Sequence, residues 1–189
     1  GDVAALVETA HSLEKMGEIE SATKIYERII ELKPDPDDVR ALDETAQALK
    51  KIGELEKAAK MYERIVELKP NNDYYVYELS FVYEKLKKLD KSFDSLIRAV
   101  ELNPYNVAAR FSLAGIYGEK GEIEKELQEY QKLIAINPNY VAPQILATTY
   151  TGLGKLSSSR HDLGNALKYF KKAIDIEPKN PFNHDNIAN

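Results

Sequence analysis

Apolar residues return along this chain every three or four positions. In residues 53–70, GELEKAAKMYERIVELKP, the side chains of Ala58, Met61, Tyr62, Ile65, Val66 and Leu68 fall on one helical face and the charged residues take the other. The two-residue alternation of a half-buried strand does not occur there. Residues 17–34, GEIESATKIYERIIELKP, carry nearly the same string thirty-six places earlier. Prolines at 34, 70, 104, 138 and 178 stop successive patterns at intervals of 36, 34, 34 and 40, so the chain reads as an array of five units. Within a unit, a first amphipathic stretch ends near a glycine (Gly17, Gly53, Gly121) that can take the left-handed backbone, and a second runs to the proline. The spacing predicts one helix hairpin per unit. A hairpin this small cannot bury its apolar stripe alone, so neighbouring hairpins must stack.

The outer faces place glutamate four residues before lysine, Glu20 with Lys24 and Glu56 with Lys60, pairs worth about 0.2–0.5 kcal/mol each on a solvated helix. In the second unit the recurring offsets hold Leu42, Thr45, Ala46, Leu49, Ala58, Tyr62 and Ile65, and in the first Leu6, Thr9, Ala10, Leu13, Ala22, Tyr26 and Ile29. The third offers Val76, Leu79, Ser80, Tyr83, Ser92, Leu96 and Ala99. The fourth offers Arg110, Leu113, Ala114, Tyr117, Tyr130 and Ile134. Two positions break the pattern. Lys87 replaces the turn glycine, at a cost of about 1 kcal/mol if positive φ is required, and Glu126 stands where a small buried residue is usual.

These offsets, a large residue, Leu, a small residue and Tyr, then Ala, an aromatic and Pro, resemble the tetratricopeptide repeat family over almost the whole chain. The resemblance implies an all-α fold, a right-handed α-α superhelix (solenoid) of tandem helix-turn-helix hairpins. It implies one array over 1–189, with repeats at about 3–36, 39–72, 73–106, 107–140 and 141–180, then a truncated sixth unit or partial cap at 181–189 containing Phe182 and Ile187. In the fifth unit Leu146, Ala147 and Tyr150 are followed by Ala166, Phe170, Ala173 and Pro178, which leaves seven residues more than the standard offset between its halves. The extra residues near 151–160 either lengthen a helix by about two turns or form a looped corner. Gly152, Gly154 and the serine run favour the loop, and Pro143 marks a helix start.

Composition narrows the function. Of 189 residues 43% are hydrophobic and 30% charged, the balance of a folded chain with a real core, and the net charge of -5 argues against a nucleic-acid partner. There is no cysteine, hence no disulfide and no thiolate metal site. No apolar run reaches the roughly 18–20 residues of a membrane span. The cytoplasm is the expected compartment, and the opening glycine and abrupt end read as marks of an excised fragment. His11, His161 and His184 lie in separate units without metal-ligand spacing, and the serines of SSSRH at 157–161 lack the base and orienting acid of a nucleophile, although a serine there is open to phosphorylation beside Lys155 and Arg160. No catalytic residue, metal or cofactor is assigned, and the expectation is a non-enzyme.

What the resemblance implies instead is a groove lined by the first helices, which grips a peptide or helix of a partner protein. Its offsets select Ala4, Val7 and His11; Arg40, Asp43, Gln47 and Lys50; Tyr74, Tyr77 and Phe81; Ala108, Phe111 and Gly115; and Gln144 and Thr148. The lysine and asparagine offsets of the family's carboxylate clamp hold Val7, Asp43 and Tyr77, and His11, Gln47 and Phe81, so that clamp is missing. The run DYYVYELSFVY at 73–83 concentrates five aromatic residues on one helix. With Tyr83 at a buried offset and Tyr75 off the groove line, Tyr74, Tyr77, Phe81 and Phe111 form the apolar middle, and Val7, His11, Arg40, Asp43, Gln47 and Lys50 the more polar N-terminal end. Two other readings stay open: self-assembly into a homo-oligomer through the array's ends, and a regulatory arm of an enzyme whose catalytic domain lies elsewhere.

Overall fold

The computed structural model describes residues 3–32, 37–136, 139 and 141–179. Ten helices and no strand are present among the described residues: α1 (Val3–Lys15), α2 (Ile19–Glu31), α3 (Val39–Lys51), α4 (Leu55–Leu68), α5 (Asp73–Lys85), α6 (Leu89–Leu102), α7 (Val107–Glu119), α8 (Ile123–Ala135), α9 (Pro143–Ser159) and α10 (Leu163–Ile176). The chain divides into two compact units, one ending at Leu102 and the next beginning at Asn103. Pro34, Pro138, Phe182 and Ile187 lie outside the described residues.

In the N-terminal unit, Leu42, Ala46 and Leu49 of α3 pack with Ala58, Tyr62 and Ile65 of α4 and with Leu79, Val82 and Tyr83 of α5. Ala10, Ala22, Tyr26 and Ile29 form a second cluster that Ala48 joins. Thr45 is buried and donates its hydroxyl to the Ala41 carbonyl at 2.7 Å, whereas its counterpart Thr9 is exposed. Helix starts follow from their caps: Asp38 accepts from the amides of Arg40 and Ala41, and Asn72 from that of Tyr75.

The hairpin corners require a left-handed residue, Gly17 at φ 82° and Gly53 at φ 83°, and Lys87 takes the same conformation at φ 60°. The backbone pattern explains why. The Lys88 amide donates to the Tyr83 carbonyl at 2.9 Å and the Lys87 amide to that of Glu84 at 2.9 Å, the bonds that also close the helix before Gly53. Glu20 bonds Lys24 at 3.0 Å as its spacing suggests, but Glu56 reaches Lys88 at 2.8 Å and not Lys60, tying one hairpin to the next corner.

In the second unit, Ala114, Tyr130, Leu133, Ile136, Val141, Leu153 and Leu156 form the core. Leu133, fully buried, fills the place expected of Ile134, because three residues after Tyr130 is the inward position on α8. Arg110 is buried on α7. Its guanidinium donates to the Pro104 carbonyl at 3.1 and 2.7 Å and to Glu129, whose other oxygen accepts from Lys132 at 2.6 Å. Glu126 finds room because Gly118 faces it: a Cβ there would stand 3.0 Å from the Glu126 carboxyl carbon.

The loop expected near 151–160 is corrected. α9 runs unbroken from Pro143 to Ser159, with the proline in its first turn. Gly152 and Gly154 are packing residues, since added Cβ atoms would come within 2.6 Å of the Tyr130 ring and 2.5 Å of the Phe170 ring. Aromatic rings that approach a helix backbone this closely exclude any side chain. His161, at φ 61°, makes the corner where Gly121, at φ 70°, makes the previous one. Counted back from that corner, Leu153, Gly154 and Ser157 hold the buried places of Leu113, Ala114 and Tyr117. Ile145, Leu146 and Tyr150 are half-buried against the same core, and α9, at 17 residues, is longer than α7, at 13, so part of the additional length lies in the first turn of α9.

Candidate partner-binding site

Helices α3 and α5 both pack against α4 in the N-terminal unit, and residues of the two line a cavity of about 520 Å³. Its walls are Gln47, Lys50 and Lys51 of α3, Tyr74, Glu78, Phe81 and Lys85 of α5, and Gly53 and Leu55 at the corner into α4. The α5 residues are spaced four, three and four apart, one stripe along a helix whose other face carries Val76, Leu79 and Tyr83 into the core.

Charge at the cavity is arranged around Phe81. The Lys50 ammonium stands 5.0 Å from the Phe81 ring centroid and that of Lys85 5.2 Å, close enough for cation–π attraction from both. Lys50 also lies 5.6 Å from the Tyr62 ring and bonds the Glu78 carboxylate. That carboxylate accepts a long hydrogen bond from the Tyr62 hydroxyl at 3.4 Å. Lys51 reaches back to Glu14 on α1 at 3.2 Å.

Beneath these groups Asp43 is half-buried, and its Oδ1 has no hydrogen-bond partner among the described atoms. Burial raises its carboxyl above the ordinary range. Gln47, Lys50 and Tyr62 pull it down and Glu78 pushes it up. The Tyr74 phenol, 47% exposed, is pushed up to about 12 by partial burial and by the carboxylates of Glu78 and Asp43. Its ring meets that of Tyr75 edge to face at 5.2 Å. The Tyr62 phenol is raised further, by burial first and then by Glu78 and Asp43.

Of the residues selected from the sequence, Gln47, Lys50, Tyr74 and Phe81 line the cavity together. Tyr77 is half-buried and outside its wall, with its carbonyl accepting from Ser80 at 2.6 Å. Arg40 is exposed at the start of α3 and bonds Glu44 at 2.9 Å. Val7 packs on the cluster around Ala10, and the His11 ring lies edge-on to Tyr26 at 6.4 Å. Phe111 belongs to the second unit and packs against the cluster of Ala114, Tyr130 and Leu133. There Ala108 is half-buried, and Gly115, Gln144 and Thr148 are exposed; the Ala4 side chain is outside those described. Lys51, Gly53, Leu55, Glu78 and Lys85 were not legible as site residues. Glu78 and Lys85 share a helical stripe with Tyr74 and Phe81, and that spacing was their signal; Lys51, Gly53 and Leu55 carried none. Among the described residues no group of three His, Asp or Glu side chains is placed to hold a metal ion.

A tandem array of helix hairpins presenting a side-chain-lined cavity on its first helices defines a class of protein-interaction scaffold. The tetratricopeptide repeat family matches residues 7–73, 83–141 and 147–180, so the chain belongs to it. The last match coincides with a repeat that starts inside α9. No curated protein matches the chain. Among solved structures, MamA is 25% identical over 90% of this chain and 95% of its own, with a TM-score of 0.69. YrrB, described as a TPR protein with an unusual peptide-binding site, is 23% identical over 97% of this chain and 91% of its own, with a TM-score of 0.64. A tetratricopeptide repeat protein from Parabacteroides merdae is 16% identical over 98% of this chain and 71% of its own, with a TM-score of 0.71. These similarities agree with the hairpin architecture. Among the described residues no helix is long and apolar enough to cross a membrane.

Proposed function

We propose that the chain is a non-catalytic interaction module that binds a peptide or helix of a partner protein across α3 and α5 of its N-terminal unit. The observation that carries this reading is the cavity of about 520 Å³, a volume within the usual range for ligand sites, with Tyr74 and Phe81 on one wall and Gln47 and Lys50 on the other. Each aromatic offers roughly 150–250 Å² of surface for burial against a ligand. At about 25 cal/mol per Å² two such anchors support micromolar docking after the cost of ordering the partner. Tyr77 serves this reading as a secondary contact, with the polar end at Arg40 and Asp43, and Phe111, packed on the core of the second unit, is left out of it.

The test uses peptides selected from a displayed random library on the immobilised chain. Replacing Tyr74→Ala together with Phe81→Ala is expected to weaken the selected peptides at least about tenfold by fluorescence anisotropy, with helical circular dichroism retained. Unchanged affinity would move the site elsewhere.

A further inference from the structure

We infer that the cavity of the N-terminal unit takes up one proton, at Asp43, when a ligand closes over it, an inference that rests on the groove reading above. Two carboxylates and one ammonium share the polar network beneath Tyr74 and Phe81. Glu78 is answered by Lys50, and the Tyr62 hydroxyl donates to it across 3.4 Å. The same hydroxyl also steadies the Asp43 carboxylate, yet a phenol has one proton to give. Asp43 comes off short: its Oδ1 is enclosed and has no donor among the described residues.

A protonated Asp43 donates where the ionised form only accepts, so the phenol proton is then left to Glu78 and no second carboxylate competes for it. In the free chain water still reaches the half-buried residue, and Gln47 and Lys50 favour its anion. A ligand seated on Gln47 and Tyr74 removes that water, and lost water penalises the charged form. The groups that face Asp43 are Gln47 and Lys50 on its own helix, Tyr62 on α4, and Tyr74, Tyr75 and Glu78 on α5. Burial holds the three phenols neutral, and Lys50 and Glu78 are paired. Elsewhere around α3, Arg40 is bonded to Glu44, Lys51 to Glu14, and the His11 ring lies against Tyr26. Asp43 is therefore the member of the cluster left to change its charge.

The experiment uses peptides selected on the immobilised chain from a displayed library without Asp, Glu or His, and made with blocked ends so that only the protein titrates. The Asp43 carboxyl carbon is followed by NMR from about pH 4 to 8, free and with saturating peptide, its signal assigned by through-bond correlation. The midpoint should lie above the ordinary aspartate value of about 3.9 in the free chain and move up further with peptide. Affinity by fluorescence anisotropy should tighten as pH falls between the two midpoints, by up to about tenfold per pH unit for one proton. Asp43→Asn should bind with an affinity flat across that interval, and Glu78→Gln should bring the midpoint down, because a neighbouring negative charge is gone and Lys50 is released toward Asp43. A midpoint that peptide does not move, or an acid dependence that survives Asp43→Asn, overturns the inference. If the midpoint stays put and the peptides still weaken in the Tyr74→Ala, Phe81→Ala protein, the groove reading stands alone; if they do not weaken, both fall.

Discussion

Single residues in this chain are set by what the neighbouring helix brings against them. Gly154 and Gly118 sit on first helices, but one faces a rigid ring and the other the end of a flexible side chain. Gly154→Ala drives a methyl into Phe170 and is expected to cost about 1–3 kcal/mol, as overpacking does. Gly118→Ala asks only that the Glu126 carboxyl swing aside and gains helix propensity, so it should be neutral or stabilising by up to about 1 kcal/mol. Urea melts of the two variants check the contrast; equal effects would mean the ring contact is not confining. Composition alone could not make this distinction. Glycines at 152 and 154 looked like loop formers, because a sequence shows the missing side chain and not the ring that occupies its place. The left-handed cost at Lys87, by contrast, was legible, since the family offset named the position and φ 60° confirms it.

At the level of elements, helix existence followed from the 3.6-residue period, and the partners of charged residues followed only in part, Glu20 with Lys24 but not Glu56 with Lys60. Glu56 was paired by spacing with Lys60 and bonds Lys88 instead, since a side chain at a corner can reach the next hairpin as easily as its own turn. Arg110 occupies the repeat offset that Leu42 and Val76 fill elsewhere, and it is buried there as an ion pair. Its side chain and that of Glu129 are 7% and 8% exposed. Arg110→Met should cost about 3 kcal/mol, toward the lower end for breaking a buried pair, because Lys132 still reaches Glu129. Adding Glu129→Leu should restore much of the loss, since an apolar pair of similar volume leaves no buried charge unanswered. Thermal melts of the single and double variants decide it: a double variant less stable than the single would assign the pair a net stabilising role.

For the molecule as a whole, the hairpin order and most of the buried stripe could be read from one repeated string, because stacking hairpins pose the same packing problem each time. The cavity could be read only in half. Its aromatics stood out, while Glu78 and Lys85 resembled the solvated charges of any helix face. Tyrosines also link the array's stability to pH. Burial, with Glu14 and Glu126 adding to it, pushes the Tyr26 and Tyr130 phenols up to about 12. The neutral phenol is thus the form the folded chain favours. Stability from these groups is fully present below the ordinary phenol value of about 10 and is lost as pH rises from there through about 12. Far-UV circular dichroism followed beside phenolate absorbance should show helix loss accompanying the late-ionising tyrosines; full ionisation with helicity intact would refute it.

The placement of extra residues at the start of α9 says which end of a first helix can lengthen. Inside a hairpin each added residue would turn every later side chain by about 100°, since a helix makes one turn in 3.6 residues, and the apolar face would leave its partner. At the start of a first helix the same residues lengthen the helix and leave the spacing from its corner to its core positions unchanged. The left-handed corner at His161 therefore acts as the fixed point from which the repeat is measured, and the first turn of α9 as the place where length is added. A short tag or spacer placed there should leave the stacked core in register, while the same insertion at 155–158 should not.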